Sequence, residues 1–248
     1  MKTTPILCAV LLATVSTASA TETRVSYTAS AFALEEDRLL YVEKHVETWQ
    51  EGRLTGREVR YEDPAGELIA EKRVRYEESP EVPSFEMTDF RIGLREGAEV
   101  EAGNVVLFSG PSEERVRRRK VQRPRIAVVD AGFDAFMRDN FDAVVAGDKV
   151  EFEFAVPALR RFFRFELVPQ GDVSYQGERA LRVEMRPASP ILRLLVDPID
   201  LTYSPDGRLL EFRGLANVCD EKGDRYEARI VFDYSPSSPS SLGVVAAP

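Results

Sequence analysis

Histidine, cysteine and tryptophan are nearly missing from this 248-residue chain, which holds one His, two Cys and one Trp. A single histidine excludes a His-rich metal site, and two cysteines exclude a cysteine cluster. No HExxH, Walker or GxSxG pattern occurs. The sequence therefore offers no catalytic residue, no metal ligand and no cofactor site to assign. Positive charge is also in deficit. The net charge is -9, whereas general nucleic-acid binding needs a basic surface. Long apolar runs are lacking too. None approaches the ~20 residues that cross a bilayer as a helix, so the chain is not expected to be membrane-spanning.

The first residues carry an address. Lys2, the apolar run Pro5–Val15 and the small residues Ala18, Ser19 and Ala20 form a secretory signal peptide over residues 1–20. The expected working protein begins at Thr21 and is periplasmic or secreted. Cleavage removes Lys2 and no other charge, which makes the chain one unit more negative. It also removes Cys8, so Cys219 has no disulfide partner. A lone thiol is expected to be buried, as cysteine commonly is. A chain of this length buries about 70% of its unfolded surface and needs no disulfide to hold a core.

What the chain has in abundance is period-two alternation. Val25, Tyr27, Ala29, Ala31 and Ala33 alternate with polar residues, and Tyr41, Glu43, His45, Glu47 and Trp49 share one face of a second strand. Further strands are predicted at 58–62, 68–76, 85–94, 105–108, 115–121, 150–156, 160–167, 179–185, 199–203, 208–213 and 226–234. Asp63-Pro64-Ala65-Gly66, Ser204-Pro205-Asp206-Gly207 and Asp220–Asp224 read as turns, since Pro presets one dihedral and Gly permits a positive φ. One segment changes period. Phe133, Phe136, Met137, Phe141 and Val144 fall at helical spacing, with Asp130 as the expected N-cap and Gly147 as the stop. Pro190–Leu195 reads as a short helical turn. Residues 21–234 form a single β-rich domain on this reading, and the Ser/Pro tail 235–248 is expected to be disordered.

Four groups of side chains compete for function. The helix stripe Phe133, Phe136, Met137 and Phe141, with Phe152, Phe154, Tyr41 and Trp49 on strands, would line an apolar ligand site. The plainer reading of such a stripe is core packing. Arg117, Arg118, Arg119 and Lys120 lie in the one concentrated basic run. They would contact an anionic headgroup or an acidic partner, or else guard an edge strand against aggregation. His45 would serve as a pocket base, but no serine and acid are marked to complete a triad. Carboxylates are numerous, and nothing selects two of them as an acid–base pair. An outer-membrane barrel also alternates in this way. The Ser/Pro ending, several short strands and the mid-chain helix oppose that reading.

The expected fold is mainly β: a long curled antiparallel sheet, half-barrel or open barrel, with one inserted amphipathic helix and a short helical turn. Signal peptide, meander, apolar-faced helix and the late hairpin Asp200–Phe212 together resemble periplasmic proteins of the lipoprotein-carrier type and related envelope proteins. The resemblance is architectural. It departs from the pattern in opening on a strand, Thr21–Ala33, where such carriers open on a helix. It implies a hydrophobic, lipid-like ligand carried in the apolar concavity without covalent chemistry. The alternative is a non-catalytic envelope protein that binds a protein partner through its surface.

Overall fold

The alternating segments pair into one sheet of fifteen strands. The computed structural model describes residues 22–235, so the signal-peptide reading and nearly all of the tail lie outside the described residues. In chain order the strands are β1 (Glu22–Ala33), β2 (Leu39–Gln50), β3 (Arg53–Glu62), β4 (Leu68–Arg75), β5 (Ser84–Asp89), β6 (Leu94–Glu101), β7 (Asn104–Gly110) and β8 (Arg117–Gln122). After them come β9 (Ala127–Val128), the helix α1 (Phe133–Val145), β10 (Val150–Val156), β11 (Arg161–Tyr175), β12 (Glu178–Pro187), β13 (Ile199–Tyr203), β14 (Leu209–Cys219) and β15 (Arg225–Asp233).

The sheet is two meanders joined by their terminal strands. One runs from β8 to β1 and the other from β15 to β9, with β1 and β15 paired antiparallel from Thr28 opposite Asp233 to Ala33 opposite Ala228. The sheet does not close, and its edges are β8 and β9. Every pairing is antiparallel except β9 with β10. That exception follows from the helix, because parallel neighbours need a long crossover and α1 supplies it. The sheet curls strongly. The turn Pro157–Leu159 after β10 packs against β6 and β7. The Val129 N–H just past β9 donates to the Glu81 carbonyl in the β4–β5 loop, at 2.9 Å.

Two strands escape the sequence pattern. The predicted strand 85–94 is β5 followed by a turn at residues 90–93, where Gly93 has φ +68°. β6 is hidden by three glutamates and Gly97. Gly97 is there because of its neighbours: a Cβ would stand 2.1 Å from the Phe85 carbonyl oxygen and 2.6 Å from the Phe108 ring. β9 is two residues long and has no periodicity to read.

The turn chemistry acts as the sequence suggests. Asp63 Oδ1 accepts the N–H groups of Ala65 and Glu67 at 2.9 Å each, and Gly207 takes φ +82° between β13 and β14. Residues Leu192–Leu194 form a 3-10 turn within the predicted helical stretch. At the helix start the expectation is corrected. Asp130 is not the N-cap. It lies in a 3-10 turn, Asp130–Gly132, with φ +43°, and Gly132 precedes the first helical residue. The Asp130 carboxylate is instead held by Lys72, at 2.8 and 3.1 Å. Gly147 does end the helix, at φ +93° and with its N–H on the Val144 carbonyl.

The buried residues fall into two clusters. One spans β1–β7 and β14–β15 and includes Ala29, Tyr41, Tyr61, Val105 and Val218. The other joins α1 to β10–β13 through Phe136, Met137, Phe152, Leu167 and Leu181. The antiparallel order also sorts the connections. Those after β1, β3, β5, β7, β10, β12 and β14 emerge at one end of the sheet. Those after β2, β4, β6, β8, β11 and β13 emerge at the other.

Candidate functional site

Helix α1 seats its apolar stripe on the inner face of β10 and β11. The Phe136 and Phe152 rings stand 4.8 Å apart between centroids, and Phe133 lies 5.8 Å from Phe152 and 6.5 Å from Phe154. Met137 and Phe152 are each 1% exposed. Phe141 meets Tyr203 edge-on at 6.1 Å. Six of the proposed ligand residues, Phe133, Phe136, Met137, Phe141, Phe152 and Phe154, are thus brought together in one packed cluster. The other two lie elsewhere. Tyr41 sits in the first cluster against Tyr61 and Tyr226. Burial holds its hydroxyl well above the ordinary phenol range. Trp49 lies near the end of β2, where its indole N–H donates to Glu47 at 3.1 Å.

The basic run forms edge strand β8. Arg118 pairs with Glu99, Lys120 pairs with Glu101 at 2.7 Å, and Arg117 and Arg119 are exposed. The Arg118 guanidinium also covers the Phe108 ring at 4.9 Å. A charged edge of this kind resists pairing with another chain.

Two clefts lie beside α1, one at each end of it. Near its last turn, Phe141, Val144, Val145, Pro169 and Leu181 bound a cleft of about 420 Å3, with the Arg179–Asp172 ion pair at its lip. The cleft of about 430 Å3 at the first turn is chemically richer. Its apolar wall is Trp49, Leu54, Tyr76, Pro80, Ala131 and Ala135, and its polar residues include Glu47, Arg53, Arg57, Asp134 and Arg138.

Arg57 organises this cleft. Period two puts it on the inner face of β3 with Val59 and Tyr61, and it is almost fully buried. Its Nη1 donates to Asp134 and its Nη2 to Glu47, both at 2.6 Å. Burial alone would lower the guanidinium's basicity. The Asp134 charge, helped by Tyr27, Tyr76 and Glu47, instead holds it well above the usual value. Its Nε is buried with no partner among the described residues. Tyr76 points its hydroxyl at the Ala131 carbonyl, 3.5 Å away, and burial raises its pKa. Deeper in the sheet, His45 Nε2 and Glu43 lie 2.7 Å apart, and Tyr27 stacks on the imidazole at 4.4 Å. His45 is therefore a buried member of a polar-aromatic stripe.

Sequence reasoning missed Arg57, Asp134 and Glu47 as a unit. The available signal was an arginine on the inward face of a strand, which must find a carboxylate when buried. Which carboxylate answers it, 77 residues away on α1, is a tertiary fact. Among the described residues no group of three or more His, Cys, Asp or Glu is arranged to hold a metal ion, and no helix is long and apolar enough to cross a membrane.

No family model matches the chain, and no curated protein matches it. A solved structure that it resembles is a beta-barrel-like protein of a domain of unknown function, DUF1849, from Brucella abortus. The two are 10% identical, with a TM-score of 0.48 over 86% of this chain and 96% of that one.

Proposed function

We propose that the chain is an exported binding protein for an amphipathic, lipid-like molecule, and that it performs no covalent chemistry. The observation that carries this reading is the cleft at the first turn of α1. A space of about 430 Å3 is within the usual size of small-molecule sites, and such sites pair an apolar wall with a few placed polar groups. Here the ligand body lies along Trp49, Leu54 and Pro80, and its polar head reaches the Arg57–Asp134 pair. Both carboxylates beside Arg57 are engaged by its guanidinium, which suits a positioning role. The run Pro5–Val15 followed by Ala18-Ser19-Ala20 supports export.

The chain's only tryptophan lies in this cleft, so the protein carries its own reporter. Titration with a lysophospholipid and with a fatty acid is expected to change Trp49 emission in a saturable way. Arg57→Gln is expected to weaken the change. Absence of any saturable change, together with no lipid in native mass spectra of protein from its own host, would remove this reading.

A second reading has its own support. Beneath the helix Phe136, Met137 and Phe152 are each at most 5% exposed, and the Phe136 and Phe152 rings meet directly. That favours an envelope protein that acts through protein contacts over a solid core.

A further inference from the structure

The sheet end that holds the β10–β11 and β12–β13 turns carries exposed aliphatic side chains. In the β12–β13 connection Ile191 is 72% exposed, Leu194 85% and Leu195 77%. Leu159, in the neighbouring β10–β11 turn, is 57% exposed. Single exposed leucines are ordinary, but four on adjoining turns are not.

This exposure is built. Leu194, Leu195 and Val196 donate their N–H groups to Ile191 and Leu192 carbonyls at 2.9–3.2 Å, which winds one tight turn. Arg193, between the exposed residues, folds back on the sheet. It donates to the Pro187 carbonyl at 2.7 Å, the Ala188 carbonyl at 3.0 Å and Glu166 at 2.8 Å. Glu166 is buried and also takes Arg186 at 2.7 Å. The anchor holds the turn so that Ile191, Leu194 and Leu195 project into solvent.

Two arginines stand beside the turn, with Asp197 exposed in the same connection. Ala188 donates to the Arg164 carbonyl, which sets the turn over the start of β11, where Arg161 and Arg164 are exposed. Neither has a carboxylate within ion-pair distance among the described residues.

We infer that this tip is a docking element for an anionic phospholipid surface. Ile191, Leu194 and Leu195 enter the headgroup–acyl boundary, while Arg161 and Arg164 meet the phosphates. A projecting apolar tip flanked by two exposed arginines without carboxylate partners, one of them over the Phe163 ring, fits a bilayer, since partial aliphatic burial and attraction to anionic lipid act together. The inference is independent of the cleft, whose lining includes none of these residues.

The test is co-sedimentation of the full chain with vesicles of phosphatidylcholine, with and without phosphatidylglycerol. The wild-type protein is expected to bind the anionic vesicles and to release them as salt rises. Leu194→Asp with Leu195→Asp should weaken binding by about tenfold or more. Arg161→Gln with Arg164→Gln should weaken it about fivefold per charge. Both pairs should leave the thermal melt unchanged, because the altered side chains are exposed. Equal binding by the aspartate variant, or no binding by wild type, overturns the inference. So does self-association that the aspartate variant abolishes in protein that ignores vesicles, which would make the tip a contact between copies.

Discussion

Lys72 Nζ stands 2.8 Å from Asp130 Oδ1, and both side chains are at least nine-tenths buried. This pair ties β4 to the turn that launches α1, at a residue with positive φ. It therefore links the two halves of the interior. Removing one partner leaves a buried charge uncompensated. Lys72→Met is expected to cost about 3–5 kcal/mol, measured by urea unfolding, and Lys72→Met with Asp130→Asn should recover part of the loss. A cost below about 1 kcal/mol would mean that water reaches the pair.

Phe136 tests whether α1 is core or lid. Its ring contacts Phe152 directly, so Phe136→Ala should cost about 3–5 kcal/mol in chemical denaturation. A lid that opens locally would give a smaller loss. In that case binding of a fluorescent fatty-acid probe would change more than the melting temperature.

Gly97 offers a backbone test of β6. A methyl group there collides with the Phe85 carbonyl oxygen at 2.1 Å, and a carbonyl oxygen in a sheet ladder cannot swing aside. Gly97→Ala is expected to destabilise by at least about 1–3 kcal/mol, the range for forced overpacking. Gly56→Ala is its control, because a Cβ there meets the Val74 carbonyl oxygen at an ordinary 3.5 Å and its φ is not positive. An equal melt for wild type and Gly97→Ala would show that β6 and β7 can shift apart.

Cys219 is 2% exposed and is a free thiol. Burial pushes its pKa up, with Glu96 and Asp89 adding to the effect and Arg225 opposing it. The thiolate is the reactive form. Labelling of the native protein by a thiol reagent near pH 8 should therefore be slow and should become fast on unfolding. Cys219→Ser should cost about 1–3 kcal/mol through a poorly paired hydroxyl. Rapid native labelling would contradict the burial.

Local chemistry accounts for what was legible in the sequence. The alternation of Phe152 and Phe154 with glutamates, the turns at Asp63–Gly66 and Ser204–Gly207, and the helical spacing of Phe133, Phe136, Met137 and Phe141 each act within a few residues. They specified a mainly β chain with one helix, its hairpins and its stop at Gly147. The lone Cys219 could likewise be expected inside. Strand β6 was hidden because its glycine and glutamates answer to neighbours, the Phe85 carbonyl and the Phe108 ring.

Tertiary structure alone decided the rest. Period two says that Tyr41 and Trp49 share a face with His45, but not that Tyr41 joins one core while Phe136 builds another. It places Arg57 inward without naming Asp134, and the charges of Arg117–Lys120 left open a guarded edge or a contact surface, of which the sheet order makes β8 the edge. Those outcomes depend on β1 meeting β15 and on α1 crossing from β9 to β10. Such pairings join residues far apart in the chain, and the steric and hydrogen-bonding preferences that set a strand or a turn carry no information about a partner at that distance.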